Sequence, residues 1–287
     1  MVSFVIFLFG LAVGSFLNAF IYRLEVQQKL RPVPHDREKV GVTVMRGRSF
    51  CPSCSHTLAW QDLIPLLSFA LLKGRCRYCK EKISFQYPLI ELATGLLFVA
   101  VLWFVLPELS LVIPTLTKLS FPQAAQLAYL WTIASLLTVI FVYDLKHFVI
   151  PDKVLYPAIL VVGMWYLVSS VLFDAYTYYQ LLITFYSALG AAGFFLAIYL
   201  LSKGRAMGFG DVKLAFFMGL FLSWPNILVA MSLAFGIGAI VGLTLIFLKR
   251  KTMRSEVPFG PFLILGTLVA LFWGEQLVYF YISLLGV

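Results

Sequence analysis

This sequence carries little charge. Asp, Glu, Lys and Arg together supply 12% of the 287 residues, about half the ~25% share of a soluble domain. The hydrophobic share is 61% and the mean hydropathy +0.94, so a water-soluble α/β or barrel enzyme and a disordered chain are both excluded. Cysteine is scarcer still: four residues in the whole chain rule out a secreted disulfide scaffold. The apolar stretches do not alternate with polar residues over ~10 positions, which argues against an outer-membrane barrel. A Gly-x-Gly-x-x-Gly loop in a βαβ setting, a low-complexity tract and a repeat of fixed period are also missing.

What the sequence does have is long continuous apolar runs. A hydrocarbon core of ~30 Å takes about 20 apolar residues per helical crossing. Eight stretches qualify as candidates: Val2 to Ile21, Pro88 to Leu106, Ala124 to Tyr143, Pro151 to Phe173, Leu181 to Leu201, Asp211 to Trp224, Asn226 to Leu248 and Pro258 to Gly286. The sixth is short for a span, and the expectation is that it tilts, begins above the membrane or sits inside the protein. The first lacks a basic leader and a small-residue cleavage site, so it reads as a retained span. The fold class is therefore all-α and polytopic, with about eight transmembrane helices.

Basic residues set the expected orientation. They crowd the segment from Arg23 to Lys82 and recur around Lys146 and Lys153, Lys203 and Arg205, and Lys249, Arg250, Lys251 and Arg254, whereas the alternate loops hold only Lys118. By the positive-inside rule the rich set is cytoplasmic and both termini lie outside. The formal charge of +9 is thereby assigned to membrane topology, and no nucleic-acid partner is needed. Composition divides the chain into a first helix (1–21), a polar cytoplasmic insertion (22–87) and a membrane domain (88–287) with short loops.

Acids outside the insertion are few, and each near the membrane asks for a reason, because insertion at a helix centre costs about 2.5–3.5 kcal/mol. Asp144 closes the third span in Phe141-Val-Tyr-Asp144-Leu-Lys-His147, and Asp211 opens the sixth in Gly208-Phe-Gly210-Asp211-Val-Lys213. The topology puts both at the cytoplasmic end of their spans. Two carboxyls brought together in a low-dielectric site hold one proton between them, the apparatus of an aspartic protease. Gly208 and Gly210 would let backbone approach a substrate closely. Ordinary roles stay open: ion pairs of Asp144 with Lys146 and of Asp211 with Lys213, or Asp211 as a helix cap. Asp152 reads as a cap after Pro151, and Glu91 and Glu275 as structural hydrogen-bonding groups or as lining of a polar cavity.

All four cysteines stand in the insertion, as Cys51-Pro-Ser-Cys54 and Cys76-Arg-Tyr-Cys79 with 21 residues between the pairs. This spacing points to one tetrahedral zinc site with four thiolates, which is structural because every position is filled. Two disulfides or a redox pair are the alternatives. His35 and His56 read as surface histidines, not ligands.

These blocks together resemble the type IV prepilin peptidases of the GxGD class of intramembrane aspartic proteases. The matching residues are Gly14-Ser-Phe-Leu-Asn18 with Arg23, the two Cys pairs around Trp60, Ile64-Pro-Leu-Leu-Ser68, Gly74-Arg-Cys76-Arg77 and Tyr87-Pro-Leu-Ile-Glu91. Asp144 to Asp152, Gly208 to Leu214 and Pro258-Phe-Gly-Pro-Phe262 complete the set. The chain departs from the pattern at Glu25 and Leu63. The resemblance implies that Asp144 and Asp211 are the catalytic pair. It further implies that type IV prepilins or pseudopilins are cut after the Gly that ends a basic leader, on the cytoplasmic side of the inner membrane. The new amino terminus, usually Phe, would then be methylated with S-adenosylmethionine as donor. For that step Gly14, Asn18 and the insertion are the suspected residues, although Asn18 and Glu91 serve equally well as hydrogen bonds between helices. A peptidase without methylation, a transporter and an assembly scaffold are the rival readings.

Overall fold

The structure is a computed structural model that describes residues 1–30, 48–107, 119–173, 175–248 and 257–284. His35, Glu108, Lys118, Asp174, Glu256 and the basic group Lys249, Arg250, Lys251 and Arg254 lie outside the described residues. The chain forms two compact units, Met1–Thr138 and Val139–Val287.

The first unit holds α1 (Val2–Gln27), a short α2 (Leu67–Leu71), α3 (Gln86–Val105) and the opening turns of α4 (Phe121–His147). Helix α1 runs six residues beyond the Ile21 boundary read from hydropathy. Its continuation is not released to solvent: Leu24 is fully buried, and Arg23 and Glu25 are buried with it. Hydropathy marks where charge begins, whereas the helix continues for as long as protein surrounds it. Helices α1 and α3 meet backbone to backbone through Gly10 and Gly14 on one side and Gly95 on the other. A Cβ at Gly10 would stand 2.8 Å from the Gly95 Cα, and one at Gly14 2.7 Å from the Glu91 Cα. Small residues four apart on a span allow such close approach. Trp131 of α4 lays its ring flat on Phe98 of α3, centroids 5.3 Å apart, and donates from Nε1 to the Phe98 carbonyl.

The second unit holds the rest of α4, then α5 (Asp152–Phe173), α6 (Tyr178–Leu201), α7 (Phe209–Leu222), α8 (Asn226–Phe247) and α9 (Gly260–Leu284). Helix α7 is the sixth stretch of the sequence reading. Its 14 residues span roughly 21 Å, short of the ~30 Å core. The other seven long helices are each apolar enough to cross a membrane. Helix α7 can be short because protein, not lipid, surrounds it: Leu214, Ala215, Phe217 and Met218 are fully buried, and α5, α6 and α9 pack on it. Tyr166 of α5 donates to the Leu220 carbonyl, and Thr184 of α6 to the Ser223 hydroxyl, which fastens its far end. No β-strand occurs among the described residues, so the all-α membrane architecture holds.

Candidate active site and metal centre

The second unit gathers its acids where α4 ends and α7 begins. Helix α4 stops at His147 because Phe148 turns into the left-handed region (φ +57°), its N–H donating to the Asp144 carbonyl. Four residues after Phe148 α5 starts, and the intervening Ile150 is buried against Gly210, where a Cβ would lie 3.2 Å from that of Ile150. The glycine of the Gly-x-Gly-Asp block therefore admits a neighbouring side chain, a close approach the sequence reading had reserved for a substrate. Asp211 is the third residue of α7 and not its cap residue; its Oδ2 accepts a 3.2 Å hydrogen bond from the Gly208 N–H.

Asp144 and Asp211 are both buried, at 4% and 9% exposure, and lie close enough for the charge of Asp144 to act on Asp211. Asp144 Oδ2 has no hydrogen-bond partner among the described residues. Gly260, the first residue of α9, presses on that carboxylate: a Cβ there would stand 2.5 Å from Oδ2. Phe259 beside it packs with Phe195 of α6 and Phe235 of α8, which fixes the approach of Gly260. Among the described residues neither aspartate forms an ion pair. Lys213, the neighbour that could have neutralised Asp211, reaches instead to Asp152 at the first position of α5, between the rings of Tyr156 and Phe209, each 5.6 Å from its ammonium. Two buried carboxyls in mutual range, one with an open oxygen, can divide the roles of proton acceptor and proton donor.

In the first unit the two Cys pairs form matched knuckles. The Cys51 N–H donates to the His56 carbonyl and Ser55 N–H returns to Cys51; Cys76 N–H donates to Glu81 and Lys80 N–H returns to Cys76. Ser55 and Lys80, each following the second Cys, take positive φ values of 58° and 60°. Isolated bridges Phe50–Thr57 and Arg75–Lys82 close the two loops. All four Sγ atoms lie within 4.8 Å of one another, Cys51 and Cys79 at 3.9 Å, and none is in a disulfide. A tetrahedron of thiolates at about 2.3 Å from a zinc ion has edges of roughly 3.8 Å, so this cluster fits a metal ion. Burial pushes the Cys51 thiol up to about 12, and a cation is what would hold it as a thiolate at neutral pH.

His56 is exposed and stacks on Tyr78 of the other knuckle, ring centroids 3.6 Å apart. Asp62, from the 3₁₀ turn Trp60–Leu63, straps the same region. It accepts from Arg77 Nε at 2.7 Å, from Tyr78 and from the Ala59 N–H. Burial works against its charge, yet these bonds outweigh it and hold the Asp62 carboxyl below its usual value. Glu275 is exposed, whereas Glu91 is buried in α3. Asn18 donates to the Tyr87 carbonyl across the α1–α3 contact. The roles of Gly260, of the Lys213–Asp152 pair and of Asp62 escape a reading by spacing, because each partner is distant in sequence. The Pro258 to Phe262 block was the only signal for the first.

Comparison with known proteins gives two family matches. The bacterial peptidase A24 N-terminal domain matches residues 8–105, and the type IV leader peptidase family matches residues 131–243. A prepilin leader peptidase/N-methyltransferase of Aeromonas salmonicida is 33% identical over 298 residues, covering 97% of this chain and 93% of that protein. Proteins of the same name from Legionella pneumophila (31%; 97% and 94% covered) and Pseudomonas aeruginosa (28%; 97% and 93%) align over a similar extent. No solved structure matches the chain. With two family matches in chain order, and a relative 33% identical that covers 97% of the chain, the chain belongs to the type IV leader peptidase family.

Proposed function

We propose that this protein processes type IV prepilins or pseudopilins at the inner membrane in two steps, leader removal and N-methylation of the exposed residue, usually Phe. One observation carries the hydrolytic half: two buried aspartates, far apart in sequence, stand within each other's field, and among the described residues neither forms an ion pair. Charged and neutral members exchange roles during the reaction. The ionised carboxylate takes a proton from water as the oxygen attacks the scissile carbonyl, and the protonated one hydrogen-bonds that carbonyl oxygen. As the C–N bond breaks, a proton passes to the departing amine. The excess of basic residues in alternate loops supports a site at the cytoplasmic face with both termini outside. There a substrate helix embedded in the same bilayer presents its leader junction.

The four cysteines, in our reading, hold one zinc ion that shapes the first unit and takes no part in bond breaking. Metal analysis of the purified chain should give about one zinc per chain, lost together when either Cys51 and Cys54 or Cys76 and Cys79 become Ser. Full occupancy without the second pair would rule out a four-thiolate site. S-adenosylmethionine, when bound, supplies an electrophilic methyl group. Purified protein incubated with a model prepilin and labelled donor should yield a shortened chain carrying label on its new amino terminus. Cleavage without label would reduce the function to peptidase alone.

A further inference from the structure

Helix α3 has no length to spare. Its 20 residues rise about 30 Å, the thickness of the hydrocarbon core they have to cross. The helix must therefore enter the core within its first turn, and Glu91, five residues after Gln86, lies about 7–8 Å below that entry. Its side chain leans back toward the helix start, as helical side chains do. There its Oε2 accepts a 2.8 Å hydrogen bond from the N–H of Leu66. Leu66 turns through left-handed backbone (φ +57°) straight into α2. A backbone bond to a buried residue of the span thus fixes the level of α2, which begins within about one helical turn of the hydrocarbon boundary.

What α2 shows at that level is apolar. Leu67 and Leu71, four residues apart and so on one helix face, are both exposed, Leu71 at 73%. Phe85 packs its ring on Phe69 of α2, centroids 5.4 Å apart, yet is itself 80% exposed. Leu89, Leu92 and Leu96 follow Phe85 at helical spacing as the exposed residues of α3, so the surface of α2 runs on into the surface that the span turns to lipid. Trp60, exposed in the preceding 3₁₀ turn, is the residue type that concentrates at membrane–water boundaries. Lys73 and Arg75 follow α2 directly and are exposed, as suits the negative surface of a bilayer. A face turned to water rarely sets large apolar residues side by side in this way.

We propose that α2 is an interfacial anchor: its Leu67 and Leu71 face, continued by Phe85, is seated in the boundary between headgroups and acyl chains of the bilayer that α3 crosses, with Lys73 and Arg75 at the lipid phosphates. An interfacial helix buries its apolar face about 5–10 Å into this boundary, which is the depth that the bond from Leu66 to Glu91 sets. The segment between α1 and α3 is then partly seated in the membrane instead of wholly aqueous. Its two cysteine knuckles, one on each side of α2 in the chain, are thereby tethered to the lipid surface. The anchor does not depend on which reaction the chain performs.

Depth is read by electron paramagnetic resonance on the full-length protein in liposomes of phosphatidylethanolamine and phosphatidylglycerol. A nitroxide-bearing unnatural residue, which spares the four cysteines, replaces Leu67, Leu71, Leu96 or Lys80 in turn. All four positions are exposed, so the label displaces no packed side chain, and unchanged thermal melting verifies each fold. Collisions with oxygen, which concentrates in lipid, are compared with collisions with a water-soluble nickel chelate. Leu96 on α3 supplies the lipid value and Lys80, beside Cys79, the aqueous one. The oxygen-to-nickel ratio at Leu67 and Leu71 is expected to exceed that at Lys80 several-fold and to approach that at Leu96. Ratios at Leu67 and Leu71 equal to that at Lys80 overturn the proposal. Exclusion of both reagents overturns it too, since it marks a protein partner or a second copy on this face. A label at Leu96 that itself prefers nickel denies that α3 is a span, and the anchor falls with it.

Discussion

Leader cleavage falls by at least about 1,000-fold in Asp144→Asn and equally in Asp211→Asn, with each variant still folded in the membrane and still carrying its metal. Loss of a positioned acid or base removes about 100- to 10,000-fold, and a dyad loses both functions together when either member becomes an amide. Asparagine has the shape of aspartate, and neither side chain is half of an ion pair among the described residues, so the folded state has little electrostatic reason to collapse. The Lys213–Asp152 pair, which joins α7 to α5, is untouched by either change. An in-membrane cleavage assay on a model prepilin, with thermal melts of the purified variants, measures both halves of this expectation. Cleavage at the wild-type rate in both variants would remove the aspartates from the chemistry.

A single methyl group on Gly260 should be almost as damaging. The Cβ of Gly260→Ala would stand 2.5 Å from Asp144 Oδ2 and 3.1 Å from its Cγ, well inside contact distance. The backbone of Gly260 cannot easily yield, because Phe259 packs against the stacked pair Phe195 and Phe235 and because Leu263 and Ile264 on the next turn are buried. The carboxylate is the part that moves. Displacing a catalytic group by about 1 Å costs roughly 100-fold, so kcat should drop by that order while KM for the prepilin changes little. Overpacking adds about 1–3 kcal/mol of destabilisation, visible as a lower Tm. Equal kcat with only the Tm reduced would mean that Gly260 serves packing and not the position of Asp144.

The parts of this molecule legible in its sequence are those governed by neighbours along the chain. Helical spans follow from unbroken apolar runs, and the thiol cluster from two short loops that each aim two thiols at one point. Asp144 and Asp211 were singled out because acids are rare beside the membrane, and folding indeed brings them into each other's range. What remained hidden depends on contacts across the chain. Lys213 follows Asp211 by two residues, yet the ammonium chooses Asp152, 61 positions away, which comes within reach only after α5 packs on α7. Helix α1 overran its hydropathy boundary because Arg23 and Glu25 are enclosed by protein. Gly14 resembled an isolated motif residue until α3 was found against it, with Glu91 at the point of contact.

The most direct test of the shared-proton pair is the residual cleavage rate of the double variant Asp144→Asn/Asp211→Asn beside those of the two single variants, at saturating prepilin. Groups that act as one unit are grossly non-additive. The account predicts that the double variant is no more than about threefold slower than either single one. Losses that multiply would show two carboxyls working independently and would contradict it.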